Sequence, residues 1–258
     1  MKSTERFSDR VADYVRFRPH YPSGVFEFLR DELGFRRGTT IADIGSGTGI
    51  STKPLLDLGY NVFAVEPNAE MRAAAERWLQ DEPQFRSVAG TAEETTLPEH
   101  SVDAVLAAQA FHWFDAAKAR GEFKRILKPG GWAVLLANHR LQTQTPFLAA
   151  YERLLEEFGT DYDQVKVKGR RAIGSATLSS FFGAEKYQVR SFSNHQDLGF
   201  EELKGRLLSS SYVPKEPHPK SALMIGKLHE IFEEHSSAGT VKIMYETNIR
   251  FGQLEKQP

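Results

Sequence analysis

The stretch from Thr39 to Ile50, TTIADIGSGTGI, constrains the fold of this 258-residue chain more than any other. A short apolar run containing Ile41, Ala42 and Ile44 meets glycines at 45, 47 and 49, and an apolar periodic segment follows. The spacing predicts a strand, a tight turn and the start of a helix. Glycines suit such a turn because the chain reverses within a few residues, and a ligand approaches backbone closely only where no Cβ intervenes. Amides at the start of the helix then point into that space. A dinucleotide-binding fingerprint would need a third glycine at position 50, which is Ile50. Asp43 precedes the turn, and its carboxylate can accept hydrogen bonds near the loop or face a cationic group of a ligand. The plain alternative is a glycine-rich strand-to-helix turn with no ligand.

Asp43, Gly45, Gly47 and Gly49 match D/E-x-G-x-G-x-G, and in this the sequence resembles the class I S-adenosylmethionine-dependent methyltransferases. The resemblance implies an α/β fold: a Rossmann-like, seven-stranded, mostly parallel sheet with helices on both faces and the last strand antiparallel. It also implies S-adenosyl-L-methionine as cofactor, with Ser46 in the turn among its contacts, and S-adenosyl-L-homocysteine as product.

Composition narrows the function classes. Lys and Arg number 33 against 34 Asp and Glu, so no global basic field draws the chain to nucleic acid or an anionic membrane. The absence of cysteine removes disulfides, thiolate metal sites and cysteine nucleophiles, and suits a reducing compartment. The first residues, MKSTERFSDRVADY, lack the apolar core of a secretory signal, and no run reaches membrane-spanning length. The expectation is a soluble, cytoplasmic protein, monomer or homodimer, that binds neither nucleic acid nor membrane. No repeat or linker divides the chain, so one domain spans 1–258: an N-terminal cap (1–34), a cofactor-binding core (35–138), a helical insertion or lid (139–185), and C-terminal strands with a second insertion (186–258).

Residues 5–17 carry Phe7, Val11, Tyr14 and Val15 at helical steps, and the helix ends before Pro19. Together with Arg18, Tyr21 and Pro22, this segment resembles that of a small-molecule methyltransferase group that includes trans-aconitate methyltransferases. There it lies over the cofactor pocket, which implies that Tyr14 and Arg18 bond the cofactor's carboxylate; the alternative is a pinned aromatic and a surface arginine. A second helix follows at 24–33 and a crossover helix around Leu55, Leu56 and Leu58.

The strand at 61–65 runs into Glu66-Pro67-Asn68, placing an acid 23 residues after Asp43. That is close to the roughly 20-residue offset at which such an acid bonds ribose hydroxyls. Asn68 caps a helix at 69–80. Met71 in its first turn packs on the adenine by the family's pattern, or is a core methionine. After the strand at 85–88, Gly90 to Glu93 resembles the family's G-x-A-E segment, so that Ala92 leaves room for the adenine and Glu93 or a nearby amide reads its amino group; Glu93 is otherwise a helix-start acid.

The fourth strand, 101–108, delivers Gln109, Ala110, Phe111, His112, Trp113 and Phe114 to the carboxyl edge of the sheet, where α/β folds bind ligands. Gln109, Ala110 and Phe111 complete the expected cofactor contacts. His112 is the candidate general base or substrate hydrogen-bonder, with Trp113 as a substrate wall; its alternative is a structural hydrogen bond. Asp115 caps a helix to Leu127, a turn at 128–131 leads into the fifth strand, 132–137, and His139 and Arg140 emerge beside the site as substrate-binding candidates. Arg140 either binds an anionic substrate or is solvated at a loop tip.

In the insertion, 146–183, a helix at 146–158 precedes a basic stretch with Lys166, Lys168, Arg170 and Arg171, read as a solvated face or else a substrate lid. A strand at 186–192, a polar loop from 207 to 214, a helix at 222–235 and a strand at 241–251 complete the chain.

Methyl transfer from a sulfonium is an in-line displacement, so alignment and a dry pocket carry most of the work and no metal is required. The N/D-P-P-Y/F run that DNA and protein amide N-methyltransferases would place where Gln109 to Phe111 stands is missing; that absence, the near-neutral charge and the resemblance of the entry segment favour a small-molecule acceptor, such as a carboxylate or hydroxyl, and the sequence does not choose among carboxylate, hydroxyl and amine. The competing readings are a non-catalytic S-adenosylmethionine-binding regulator and a nicotinamide-dependent oxidoreductase.

Overall fold

The computed structural model describes residues 16–172, 174–183, 186–214 and 217–254. Its centre is set by period-two alternation. In β1 (Thr40–Ile44), Ile41 faces one apolar cluster while Ala42 and Ile44 face the other. The same division recurs in β4 (Val102–Ala108), with Ala104, Leu106 and Ala108 on one side and Val105 and Ala107 on the other. Strands buried on both faces read as continuous apolar runs, and helices must cover both sides.

The covering helices on the N-terminal half are α1 (Ser23–Asp31), α2 (Thr52–Asp57) and α3 (Ala69–Trp78), with β2 (Asn61–Val65) and β3 (Phe85–Val88) between and after the last two. A 3₁₀ turn at Phe111–Trp113 follows β4, then α4 (Ala116–Ile126) and β5 (Leu127–Arg140). Asn68 caps α3 by accepting from the Met71 amide at 2.9 Å, and Asp115 caps α4. The C-terminal half contains α5 (Pro146–Phe158), α6 (Tyr162–Ala172), α7 (Ser175–Phe182), β6 (Gln188–Leu198), α8 (Phe200–Leu208), α9 (Lys220–His235) and β7 (Val241–Gln253).

The seven strands lie in the order β3-β2-β1-β4-β5-β7-β6. Neighbours from β3 to β5 are parallel, and β7 runs antiparallel to both β5 and β6. The expected sheet, with its last strand antiparallel, is therefore present. The chain leaves β1 towards one edge and returns through β4 towards the other, which opens a crevice at the carboxyl ends of these two strands. A third apolar cluster, built from α5, α8, α9 and the start of β7, supports the far side of that crevice.

Several expectations are corrected. The β4–β5 ladder pairs Val102 with Leu127 and then Ala104 with Trp132, so Lys128 to Gly131 bulge within β5 instead of preceding it. At its other end β5 continues to Arg140, because β7 offers partners as far as Tyr245. The region expected as a polar loop from 207 follows a helix, α8, and its Ser209 and Ser210 are buried. Strand β6 extends to Leu198 along β7. The expected N-terminal helix lies almost entirely outside the described residues. The Phe17 ring sits against Gly205 of α8, which ties the N-terminal segment to the C-terminal half.

Candidate active site

The glycine turn closes by a short ladder: the amides of Gly45 and Ser46 donate to the Val65 carbonyl at 2.8 and 3.2 Å, and Gly49 donates to Ser46. Beneath it Asp43 is fully buried and accepts from Ser51 Oγ and Thr52 Oγ1, both at 2.7 Å, through one oxygen. Its other oxygen, Oδ1, is buried without a partner. Burial pushes the Asp43 carboxyl up to about 6, and the two hydroxyls only partly offset it. Asp43 does not line a cavity; it braces the turn from behind.

Glu66 stands at the end of β2 and is buried. Its Oε2 accepts from the Gly47 amide at 2.9 Å and its Oε1 from the Asn68 amide at 2.8 Å. Burial raises its pKa above the ordinary glutamate value despite both amides. Two acceptor contacts leave further lone pairs on each oxygen. Glu66, Pro67, Met71, Ala92 and Glu93 wall a cavity of about 150 Å³, closed by Gly45, Gly47 and the Gln109, Ala110 and Trp113 segment. Glu93 Oε1 also accepts from the Asp115 amide at 2.8 Å, holding the helix that follows the aromatic turn.

A larger cavity of about 450 Å³ shares Gly45, Gly47, Gln109, Ala110 and Trp113 with the first. Gln109 joins the two at a positive φ of 55°, an uncommon conformation for a non-glycine residue, with its side-chain amide donating to the Asn138 carbonyl. Arg18, Ser46, Phe111, His112, His139 and Arg140 line the larger cavity. The His112 and Trp113 rings lie 4.7 Å apart, and Lys168 of α6 covers the Trp113 ring at 4.2 Å. His139 Nε2 is buried with no partner. Burial, then the nearby Arg250, lowers the His139 pKa, so the imidazole is neutral at pH 7. Of the expected site residues, Asp43 and Gly49 stand behind the turn and Tyr14 lies outside the described residues; the others meet at these two cavities.

Five cationic side chains, Arg18, Arg140, Lys166, Arg206 and Arg250, line the larger cavity, and no Asp or Glu does among the described residues. Arg140 is not solvated at a loop tip. Its side chain is 11% exposed and is tied through Nη2 to Glu152 of α5 and to the Tyr162 hydroxyl, while Nη1 is buried without a partner. Lys166 does not sit on a solvated face either: it pairs with Glu152 at 2.5 Å and is 18% exposed. Burial of the carboxylate drives this, since an acid within α5 needs partners, and Arg140, Tyr162, Lys166 and Gln142 provide them.

Tyr212 of the SSSY run, and Arg206, Tyr162 and Tyr245, which the sequence does not single out, complete the wall. Arg206 shares its helical face with the fully buried Leu203 and Leu207. A charge at an apolar-face position is the signal that marks it. Burial alone would raise the Tyr212 hydroxyl, but Arg206 and Arg18 beside it bring it below the ordinary tyrosine range.

Comparison with known proteins now bears on this geometry. A methyltransferase domain model matches residues 42–135. An uncharacterised methyltransferase of Mycobacterium tuberculosis is 39% identical over 160 residues, 62% of this chain and 61% of that protein, so the match spans about three fifths of that relative's length. A methyltransferase-like protein of Schizosaccharomyces pombe is 30% identical over 257 residues, 98% of this chain and 96% of its own length. The chain belongs to the methyltransferase family. Its fold also superposes on a candidate type II methyltransferase structure from Anaeromyxobacter dehalogenans, with a TM-score of 0.73 at 22% identity, covering 93% of this chain and 100% of that one.

The residues present fit the cofactor of S-adenosylmethionine-dependent methyltransferases. Gly47 adopts φ +58°, and a Cβ there would meet only the Met71 sulfur, at 3.8 Å, so it would project into otherwise open space between the turn and the smaller cavity. Gly45 differs: its φ is +70° and a Cβ would lie 2.6 Å from the Ala110 Cβ. Gly45→Ala is therefore expected to destabilise the fold by roughly 2–3 kcal/mol through backbone strain and overlap. Gly47→Ala costs only about 1–2 kcal/mol but weakens S-adenosylmethionine binding, because the new methyl occupies ligand space. Urea unfolding and calorimetric titration of the two variants check this contrast; equal effects of both on both quantities would refute it.

The methyltransferase turn also carries a pH dependence. Asp43 ionises near pH 6 in the fold, against 3.8 as its reference, so the native state binds the extra proton between these values. Stability is highest below the unfolded pKa and falls as pH rises through the folded one, by about 3 kcal/mol in all for this group. Denaturant unfolding of the ligand-free protein is expected to show this loss relative to Asp43→Asn between pH 4 and 7; parallel pH profiles for the two proteins would contradict it.

Proposed function

We propose that this chain transfers the methyl group of S-adenosylmethionine to an oxygen of a small organic acid. The observation that carries the reading is the larger cavity, whose wall next to the glycine turn presents, among the described residues, five cations and no carboxylate. A cavity of this volume is of small-molecule size, and cations in a partly desolvated wall select an anion. When bound, S-adenosylmethionine supplies a methyl group activated by the adjacent sulfonium.

The protein's own contribution is positioning. Glu66, held in place by the amides of Gly47 and Asn68, would accept hydrogen bonds from the ribose hydroxyls. Ala92, Met71 and Glu93, which line the smaller cavity, would hold the adenine, and Arg18, which lines the larger one, would bind the cofactor's carboxylate. Trp113, which lines both cavities, excludes water where they meet, which strengthens every charge interaction inside. A carboxylate acceptor attacks without losing a proton. For a hydroxyl of the same acid, His139 takes the proton at its unpartnered Nε2, and His112 stands on the same wall as the second imidazole.

Labelled S-adenosylmethionine incubated with the protein and a panel of short mono-, di- and tricarboxylic acids tests the reading. Label is expected in an acid-derived product, and mild alkali separates a carboxylate ester, which releases it, from an ether, which does not. Label transferred only to neutral or cationic metabolites would sink the proposal. Cofactor binding with no transfer to any acceptor would favour a regulatory role.

A further inference from the structure

The cations of the larger cavity differ in how their charge is met. Arg140 and Lys166 share Glu152, and Lys166 also reaches Glu156 at 3.3 Å, so two positive and two negative charges balance on the α5–α6 side. Arg206, on the opposite side, is 6% exposed. Its Nε donates to the Tyr245 hydroxyl at 3.3 Å and its Nη1 to Ser210 Oγ at 3.1 Å. Neither partner carries charge, and no carboxylate among the described residues lies within ion-pair distance of it.

A buried guanidinium without a counter-ion is costly, and proteins keep such groups where something else supplies the opposite charge. The position is held firmly. Tyr245 donates in turn to Gln196 Oε1 at 2.8 Å, Ser209 Oγ donates to the Arg206 carbonyl, and Leu203 and Leu207 fix the helix on either side. With Nε and Nη1 engaged, Nη2 is the arm of the fork with no acceptor among the described residues.

Resting on the organic-acid reading above, we propose that Arg206 is the anchoring residue for the acceptor: Nη2 holds an oxygen of the acceptor's carboxylate, which supplies the counter-charge the fold omits. Glu152 sharpens this selection. By pairing with Arg140 and Lys166, it meets their charge, although Arg140 Nη1 keeps no partner, and the α8 side is where an uncompensated charge faces the cavity. The sequence offers Arg140 as one candidate for anion binding; its charge is met by Glu152, whereas that of Arg206 is not.

The test is calorimetry on protein saturated with S-adenosylhomocysteine, titrated with straight-chain dicarboxylates of four to eight carbons and with their dimethyl esters as uncharged controls. Wild type is expected to bind at least one acid and none of the esters. Arg206→Gln is expected to weaken acid binding about 10- to 100-fold, the loss of a charge-assisted hydrogen bond, and to leave the S-adenosylhomocysteine affinity within about twofold. It should also hold or raise the Tm of the ligand-free protein, because a buried unbalanced charge is removed; a purely structural arginine would lower it. Arg206→Lys keeps the charge without the fork and should bind acids roughly tenfold more weakly.

Unchanged acid affinity in both variants overturns the assignment. So does a loss of S-adenosylhomocysteine affinity with acid binding intact, which gives Arg206 to the cofactor's carboxylate instead. Should Arg206→Gln fold poorly, Arg206→Lys decides: wild-type acid affinity refutes the anchoring role and weakened affinity sustains it. If wild type binds no acid at all, the organic-acid reading of the cavity falls and this assignment falls with it.

Discussion

Glu66→Ala is expected to weaken S-adenosylmethionine binding about 100- to 10,000-fold while leaving the sheet folded. The estimate rests on two hydrogen bonds from ribose hydroxyls to a buried carboxylate, each in the range of about 1.5–3 kcal/mol for a charged acceptor. The substitution also leaves the amides of Gly47 and Asn68 without their side-chain acceptor. These amides sit at the rim of the smaller cavity, where water can replace the carboxylate, so the stability loss stays near 1–2 kcal/mol. Glu66→Gln keeps one carbonyl oxygen and should fall between wild type and Ala. Acidification gives an independent readout. Burial raises the Glu66 pKa above the ordinary value, so affinity should decline on lowering the pH sooner than an exposed glutamate would allow. Calorimetric titration of the three proteins at pH 7.5 and 5 checks both effects. Wild-type affinity in Glu66→Ala would remove Glu66 from the cofactor site.

The residues legible in the sequence are those whose spacing is dictated by backbone geometry. Gly45 and Gly47 are visible because a tight turn requires them, and Glu66 because a strand of fixed length ends beside that turn. Asn68 and Asp115 are visible as caps, since a helix start needs a local acceptor. The strand order follows from the same logic, because short connections between parallel strands permit few arrangements. The acceptor wall obeys no such local rule. Arg206, Tyr245 and Tyr162 come from three elements far apart in sequence, and each looks ordinary in its own helix or strand. For Lys166 and Arg140 the sequence leaves a solvated position open, because their common partner, Glu152, belongs to a helix whose contacts only tertiary packing reveals. Ser209 and Ser210 read as a polar loop for the same reason: their burial depends on the Arg206 network and not on local composition.

That shared acid predicts the largest loss of stability in the C-terminal half. Glu152 is 8% exposed at its side chain and accepts from Arg140 Nη2, Lys166 Nζ and the Tyr162 hydroxyl. Gln142 Nε2 adds a fourth donor at 2.9 Å. Glu152→Ala strands two cations with little access to water, and breaking one side of a buried ion pair costs about 3–5 kcal/mol. The pH dependence carries a defined sign. Burial alone would raise the Glu152 pKa, but Lys166, Arg140 and Tyr162 together hold it below the ordinary glutamate range. Its contribution is therefore present above the unfolded pKa and disappears as pH falls through the depressed folded value, so wild type and variant should converge in strong acid. The damage should also be local. Tyr162 and Lys166 are the points at which α6 is tied down over the larger cavity, so hydrogen exchange in 162–172 should accelerate well before the strands of β1 and β4 respond. A Glu152→Ala protein with unchanged stability, or with exchange raised equally throughout the sheet, would show that α6 is held over the acceptor cavity by something other than this carboxylate.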